Sequence, residues 1–236
     1  TAARVVAAGT LLDPAALTIG FARRFTDYKR PELIFYGPER LARILTAFRR
    51  PVQIVFAGKA HPLDHPGKHH LQNIFSRAID PAFGGRIAFV EDYDLYVAHF
   101  LVQGCDVWLN TPRKPFEARG TSGMKASING ALHLSTGDGW WAEGHTGSNG
   151  WLIDGGGAAG DPAAVDAADA DALYKLLEED VVPAFYDRDV NKVPRRWLQL
   201  VKEAIRTTMP RFGARRMVKQ YADWMYAPGF SVDPTL

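Results

Sequence analysis

The feature that most limits what this chain can fold into is a regular alternation of short, continuously apolar runs with longer stretches of helical period. "LTIGFA" (17–22), "VQIVFAG" (52–58), "RIAFVE" (86–91), "DVWLN" (106–110) and "LHLST" (132–136) read as strands. Between them, "PELIFYGPERLARILTAF" (31–48), "PGKHHLQNIFSRAI" (66–79), "LYVAHFLVQG" (95–104) and "GTSGMKASINGA" (120–131) read as helices. Strands that are apolar on both faces and are separated by helices call for a parallel sheet covered on both sides. The expected fold class is therefore α/β, a doubly wound, Rossmann-like parallel sheet. In such sheets ligands gather at the carboxyl ends of the strands. A Gly-rich stretch, "DGGGAAGDPAA" (154–164), then separates a sheet core (1–154) from a helical tail (161–236). In the tail, Leu173, Leu176 and Leu177, then Leu200, Val201 and Ile205, then Met217, Tyr221 and Trp224 recur at helical spacing. The tail is expected to pack on the sheet, so that residues 1–236 form one domain.

The 236 residues are 47% hydrophobic and 23% charged, enough to bury a sizeable core. A formal net charge of +2 is too balanced for a nucleic-acid binder, which leaves a small anion as the expected partner of the local basic clusters. The one cysteine, Cys105, excludes an internal disulfide framework. No signal peptide and no membrane-spanning run is visible, so a cytoplasmic location is expected, without membrane attachment. The opening "TAARVVAAG" has no initiating methionine, and we expect the chain to be a piece of a longer one.

Two constellations carry chemistry. In "GFARRFTDYKRPE", Arg23, Arg24, Lys29 and Arg30 follow a strand end with only Asp27 opposing them, an arrangement that attracts an anion. In "PFEARGTSGMKASING", Gly120, Thr121, Ser122 and Gly123 bring backbone N–H groups together at a helix start, where the helix dipole also favours an anion. Lys125 follows just inside that helix. A phosphate seat beside a lysine amine is what pyridoxal phosphate requires. A third group, His61, His65, His69 and His70 with Asp64, has helical metal-ligand spacing, but Pro62 and Pro66 interrupt it, and no metal site is expected there.

At these residues the sequence resembles the α-glucan phosphorylases, the glycogen, starch and maltodextrin phosphorylase family, and best its short bacterial and archaeal branch. "RRFTDYKR" looks like the family's basic motif and "EARGTSGMKASING" like its pyridoxal-phosphate motif; "FAGKAHP", "FVEDYDL", "WLNTP" and "DGWW" are similar as well. The resemblance implies the carboxyl-terminal half of a two-domain GT-B glycosyltransferase fold, with the amino-terminal catalytic half absent. It assigns Lys125 to the Schiff base with pyridoxal 5'-phosphate, and Arg23, Gly120, Thr121 and Ser122 to the cofactor phosphate, with Tyr93 near the cofactor. Arg24 and Lys29 would hold the substrate phosphate; Glu117 and the backbone near Gly120 would hold the glucosyl hydroxyls. The implied reaction is phosphorolysis of an α-1,4-glucan by inorganic phosphate, with retention, to glucose 1-phosphate. In the family it resembles, the cofactor's phosphate, not its aldehyde, relays the proton.

Arg119 stands where the family has a small serine or cysteine, and Ile128 replaces a leucine or methionine. Two other readings stay open. One is a nucleotide-sugar glucosyltransferase of glycogen-synthase type, which would need an acidic residue at position 125, where this chain has lysine. The other is a non-catalytic glucan-binding or regulatory relative. The 236 residues are expected to fold but not to turn over glucan alone, because the other catalytic half lies elsewhere; a homo-oligomeric complete enzyme is compatible with the resemblance.

Overall fold

The computed structural model describes residues 4–7, 12–156 and 160–227. Its strands are β1 (Val5–Ala7), β2 (Leu17–Ala22), β3 (Val52–Ala57), β4 (Ile87–Val90), β5 (Val107–Asn110), β6 (Leu132–Thr136) and β7 (Gly150–Ile153). They form a seven-stranded sheet in the order β1-β4-β3-β2-β5-β6-β7. All pairs are parallel except β1 with β4. The chain thus winds outward from β2 through β3 and β4, returns to β5 on the other side of β2, and continues outward to β7. The strand order reverses between β2 and β5, the point at whose carboxyl edge sheets of this kind receive their ligands. The doubly wound sheet expected from the apolar runs is present. β1 and β7 were not among the expected strands.

Alternation along each strand divides the core by face. Ile19 and Phe21, Ile54 and Phe56, and Val107 and Leu109 enter one cluster, while Val55, Ala57 and Trp108 enter the other. The helices are α1 (Pro38–Leu45), α2 (His65–Ala78), α3 (Leu95–Gly104), α4 (Thr121–Ile128), α5 (Trp141–Gly144), α6 (Pro162–Leu176), α7 (Val182–Tyr186), α8 (Arg195–Phe212) and α9 (Ala214–Tyr221). Residues 31–48 are not one helix: a 3-10 turn at Leu33–Phe35 ends before Gly37, and Pro38 starts α1 afresh. Proline suits a first helical turn and disfavours helix in the residue before it. The Gly37 N–H is taken instead by the Tyr174 hydroxyl at 2.8 Å.

The tail packs on the sheet through α6, whose Leu173 and Tyr174 are buried, and through Leu177 just beyond it. Tyr174 donates to the Ile34 carbonyl at 2.7 Å. The packing weakens toward its end: Met217, Tyr221 and Trp224, which share a helical spacing, are all exposed. Among the described residues no helix is long and apolar enough to cross a membrane.

Candidate functional site

Arg23 directly follows β2 and Asn110 ends β5, so the reversal of strand order places them side by side. One Arg23 guanidinium nitrogen, Nη1, donates to Asn110 Oδ1. The other, Nη2, donates to Glu117 Oε2 at 2.5 Å, and Lys29 Nζ donates to the same oxygen at 2.5 Å. Glu117 is itself held by its backbone N–H, which donates to Asp138 Oδ2 at 2.8 Å just after β6. Arg23, Lys29 and Glu117 are 8%, 7% and 8% exposed. Burial pushes the Glu117 carboxyl up, but the charge of Arg23 and the Lys29 hydrogen bond outweigh it and hold the group below its usual range. Burial likewise lowers Arg23, with Glu117 opposing. The corner is therefore ionised and internally paired. Arg23 Nε, also buried, has no partner, leaving an N–H donor aimed at no protein acceptor.

Tyr93 follows β4 and is half-buried; burial raises its phenol while the charge of Arg23 lowers it. Arg24 is exposed, and its charge acts on Asp64 at the cap of α2. Of the expected substrate-phosphate cations, Lys29 is buried on Glu117 while Arg24 is exposed.

Helix α4 starts from Gly120, whose φ of 79° and ψ of 61° lie in the left-handed region that glycine adopts without penalty. The Ser122 hydroxyl accepts from Trp108 Nε1 at 3.3 Å. At the helix start, the first-turn N–H groups of Thr121 and Ser122 have no acceptor within the helix. Gly123 packs so closely that a Cβ there would lie 2.4 Å from His133 Cε1 and 2.8 Å from Trp140 Nε1. Thr121, Met124, Lys125 and Ile128 share one face of α4 and line a cavity of about 670 Å³ closed by α9 residues such as Met217 and Tyr221. Lys125 is exposed on that wall. Arg119 is also exposed and lines the same cavity as Lys125.

Several contributors were given no role from the sequence. Asn110 and Asp138 hold Arg23 and Glu117; each follows or ends a strand at the carboxyl edge, within the stretches "WLNTP" and "DGWW". Fully buried His133 is held neutral: burial, with the charge of Arg23, pushes it down to about 3. Around the histidine run, His70 is engaged by Glu32 at 2.6 Å, and no group of three or more His, Cys, Asp or Glu side chains among the described residues could hold a metal. Cys105 is buried and its thiol is pushed up to about 12, an unreactive group.

Fold and site together define a Rossmann-like α/β domain whose cations and glycine-capped helix converge on the point where its strand order reverses. Residues 5–145 match the model of the Phosphorylase family, described as carbohydrate phosphorylase, and the chain belongs to that family. It is 55% identical over 223 residues to a glycogen phosphorylase of Aquifex aeolicus, 47% over 219 residues to one of Mycobacterium bovis, and 46% over 216 residues to a maltodextrin phosphorylase of Thermococcus litoralis. These alignments cover 94%, 93% and 92% of this chain but 32%, 25% and 25% of the relatives, so the chain spans a quarter to a third of their length.

Proposed function

We propose that this chain is the cofactor- and phosphate-binding domain of an α-1,4-glucan phosphorylase, which in its complete form uses pyridoxal 5'-phosphate and inorganic phosphate to release glucose 1-phosphate with retention. The observation that carries the reading is the shared carboxylate: Glu117 pairs with both Arg23 and Lys29 where the strand order reverses, leaving an excess positive charge next to a helix start that presents Lys125.

The residues fit the cofactor. Lys125 stands on the wall of a cavity of about 670 Å³, Gly120 opens the first turn of α4, and Arg23 keeps a buried N–H donor without an acceptor. Lys125 would hold the group, with Thr121, Ser122, Arg23 and Tyr93 around it. When bound, pyridoxal phosphate supplies through its phosphate a proton relay to inorganic phosphate. The chain's own side chains do the rest. Lys29 and Arg23 hold negative charge in a site where burial strengthens each charge-assisted bond. Glu117 occupies both cations until an anion competes for them, and its fixed carboxylate presents acceptor positions for sugar hydroxyls. Arg24, at the exposed rim, would meet incoming phosphate first.

Lysine at position 125, where a glycogen-synthase type site needs a ribose acceptor, favours phosphorolysis over nucleotide-sugar transfer. We place the glucan, the remaining polypeptide of the enzyme and a cytoplasmic setting within the same reading. The isolated chain would lack turnover, since a sugar held from one side only loses orientation and water exclusion.

Borohydride reduction in the presence of pyridoxal phosphate, followed by peptide mass mapping, tests the assignment. The pyridoxyl group should appear on the peptide containing Lys125 and vanish in Lys125→Ala. Attachment at Lys29 or Lys59, or none at all, would sink it.

A further inference from the structure

Arg30 belongs to the same basic run as Lys29, yet its guanidinium, 4% exposed, faces the other way. Its Nε donates to the Thr111 carbonyl at 2.8 Å and Nη2 to the Pro112 carbonyl at 3.2 Å. Nη1 meets Asp166 and Nη2 meets Asp169, each at 2.7 Å, on the tail helix α6. Arg113 grips the second oxygen of Asp166 at 2.7 Å. Four of the five N–H donors of Arg30 are thus directed at backbone beyond β5 or at α6, and its charge is met by two carboxylates there rather than by the anion corner.

The backbone of Arg30 is equally specific. It sits at φ 44° and ψ 55°, a left-handed conformation that a residue with a Cβ adopts only when its surroundings over-determine it. Here they do. Arg30 N–H donates to the Asp27 carbonyl at 3.0 Å, and Thr111 Oγ1 lies 3.0 Å from both the Lys29 and Arg30 carbonyl oxygens. The Arg113 N–H donates to the Tyr28 carbonyl at 2.7 Å. This turn comes one residue after Lys29, whose Nζ reaches Glu117 Oε2.

We infer that Arg30 is a positioning residue: anchored to Asp166 and Asp169, it holds the left-handed turn that aims Lys29 at Glu117, so that a helix of the carboxyl-terminal tail sets the geometry of the anion corner. The inference takes its functional weight from the phosphorylase reading, but its test does not depend on cofactor, phosphate or turnover.

The test reads the accessibility of Lys29 itself. The 236-residue chain is exposed briefly to acetic anhydride, and acetylation of Lys29 is followed by peptide mass spectrometry relative to exposed Lys202. In the Asp166→Asn, Asp169→Asn double variant and in Arg30→Lys, which keeps the charge but not the fork, Lys29 labelling should rise about tenfold as the turn opens locally. Asp171→Asn is the control: it loosens the same helix from Arg40 at an exposed pair without touching Arg30, and should leave labelling within about twofold of the starting protein. Arg30→Gly eases the turn while removing the anchor, and should also release Lys29. Labelling unchanged in the double variant, protection retained in Arg30→Gly, or an equal rise in Asp171→Asn would each overturn the proposal. Absence of cofactor from Lys125 would instead defeat the phosphorylase reading and leave this result standing.

Discussion

At the carboxyl ends of β2 and β5, Arg23, Lys29 and Glu117 are almost inaccessible and charged; on β6, His133 is fully inaccessible and uncharged. Both clusters lie against the segment that leads into and through α4. In the first, each cation has a carboxylate oxygen and the carboxylate has two cations and an anchored backbone. In the second, no carboxylate among the described residues meets the His133 ring, which has only the Trp108 backbone for a polar neighbour, and the adjacent Trp140 Nε1 is unpartnered. Desolvation penalises a buried charge in either place; pairing meets the penalty in one and loss of the proton meets it in the other. The difference teaches which polar groups are built to receive something. Glu117 is a charge kept at the cost of two partners, as a site that exchanges anions requires, while His133 behaves as an aromatic wall against Gly123 and Trp140.

Removing the shared carboxylate should have the largest effect. Glu117→Ala leaves two buried cations facing each other without a counter-charge, and should cost about 3–5 kcal/mol in urea unfolding. A loss below about 1 kcal/mol would mean that water reaches the corner and that the contrast with His133 is false.

The pH dependence separates the clusters next. Unfolded His133 takes up a proton below 6.5, whereas the folded protein resists it down to about 3, so its contribution to stability is present above 6.5 and is lost as pH falls. The slope should be roughly 1.4 kcal/mol per pH unit across that window, seen as the difference between the protein and His133→Leu. Glu117, held below its ordinary 4.5, acts in the same direction but only at more acid pH, as pH falls from 4.5 through its folded value. Parallel stability profiles for protein and variant between pH 6.5 and 4.5 would show that His133 accepts a proton when folded.

The smallest expected effect sharpens the packing side of the comparison. Gly123→Ala would put its Cβ 2.4 Å from His133 Cε1, so ring or helix must shift, at about 1–3 kcal/mol. Stability equal to the starting protein would show that the His133 ring is free to move aside.

Much of this was legible in residue order. The alternating runs led to the inner strands and to the double winding, and the glycine-rich start of α4 with Lys125 could be read directly. β7, four residues with a tryptophan among them, and β1, three residues paired antiparallel at the edge, carry too little periodicity to stand out. The expected single helix over 31–48 gave way at Gly37–Pro38, and the apolar stripe of Met217, Tyr221 and Trp224 remained exposed, since periodicity reports which residues share a face and not what covers it.

What the sequence determined by itself is therefore the sheet, its winding and the chemical inventory of the corner, because strand and helix periods are local properties of a few adjacent residues. Only the tertiary structure decided that Arg23 enters the corner while Arg24 stays at the rim, that Lys29 ends on Glu117, and that Arg30 turns to Asp166 and Asp169. The reason is reach: Arg23 and Glu117 are 94 positions apart, and Arg30 and Asp169 are 139 apart. Their partners are selected by the side-by-side placement of β2 and β5 and by the return of α6 across the sheet. Adjacent arginines with the same charge have no local property that tells them apart until burial makes one of them find a carboxylate.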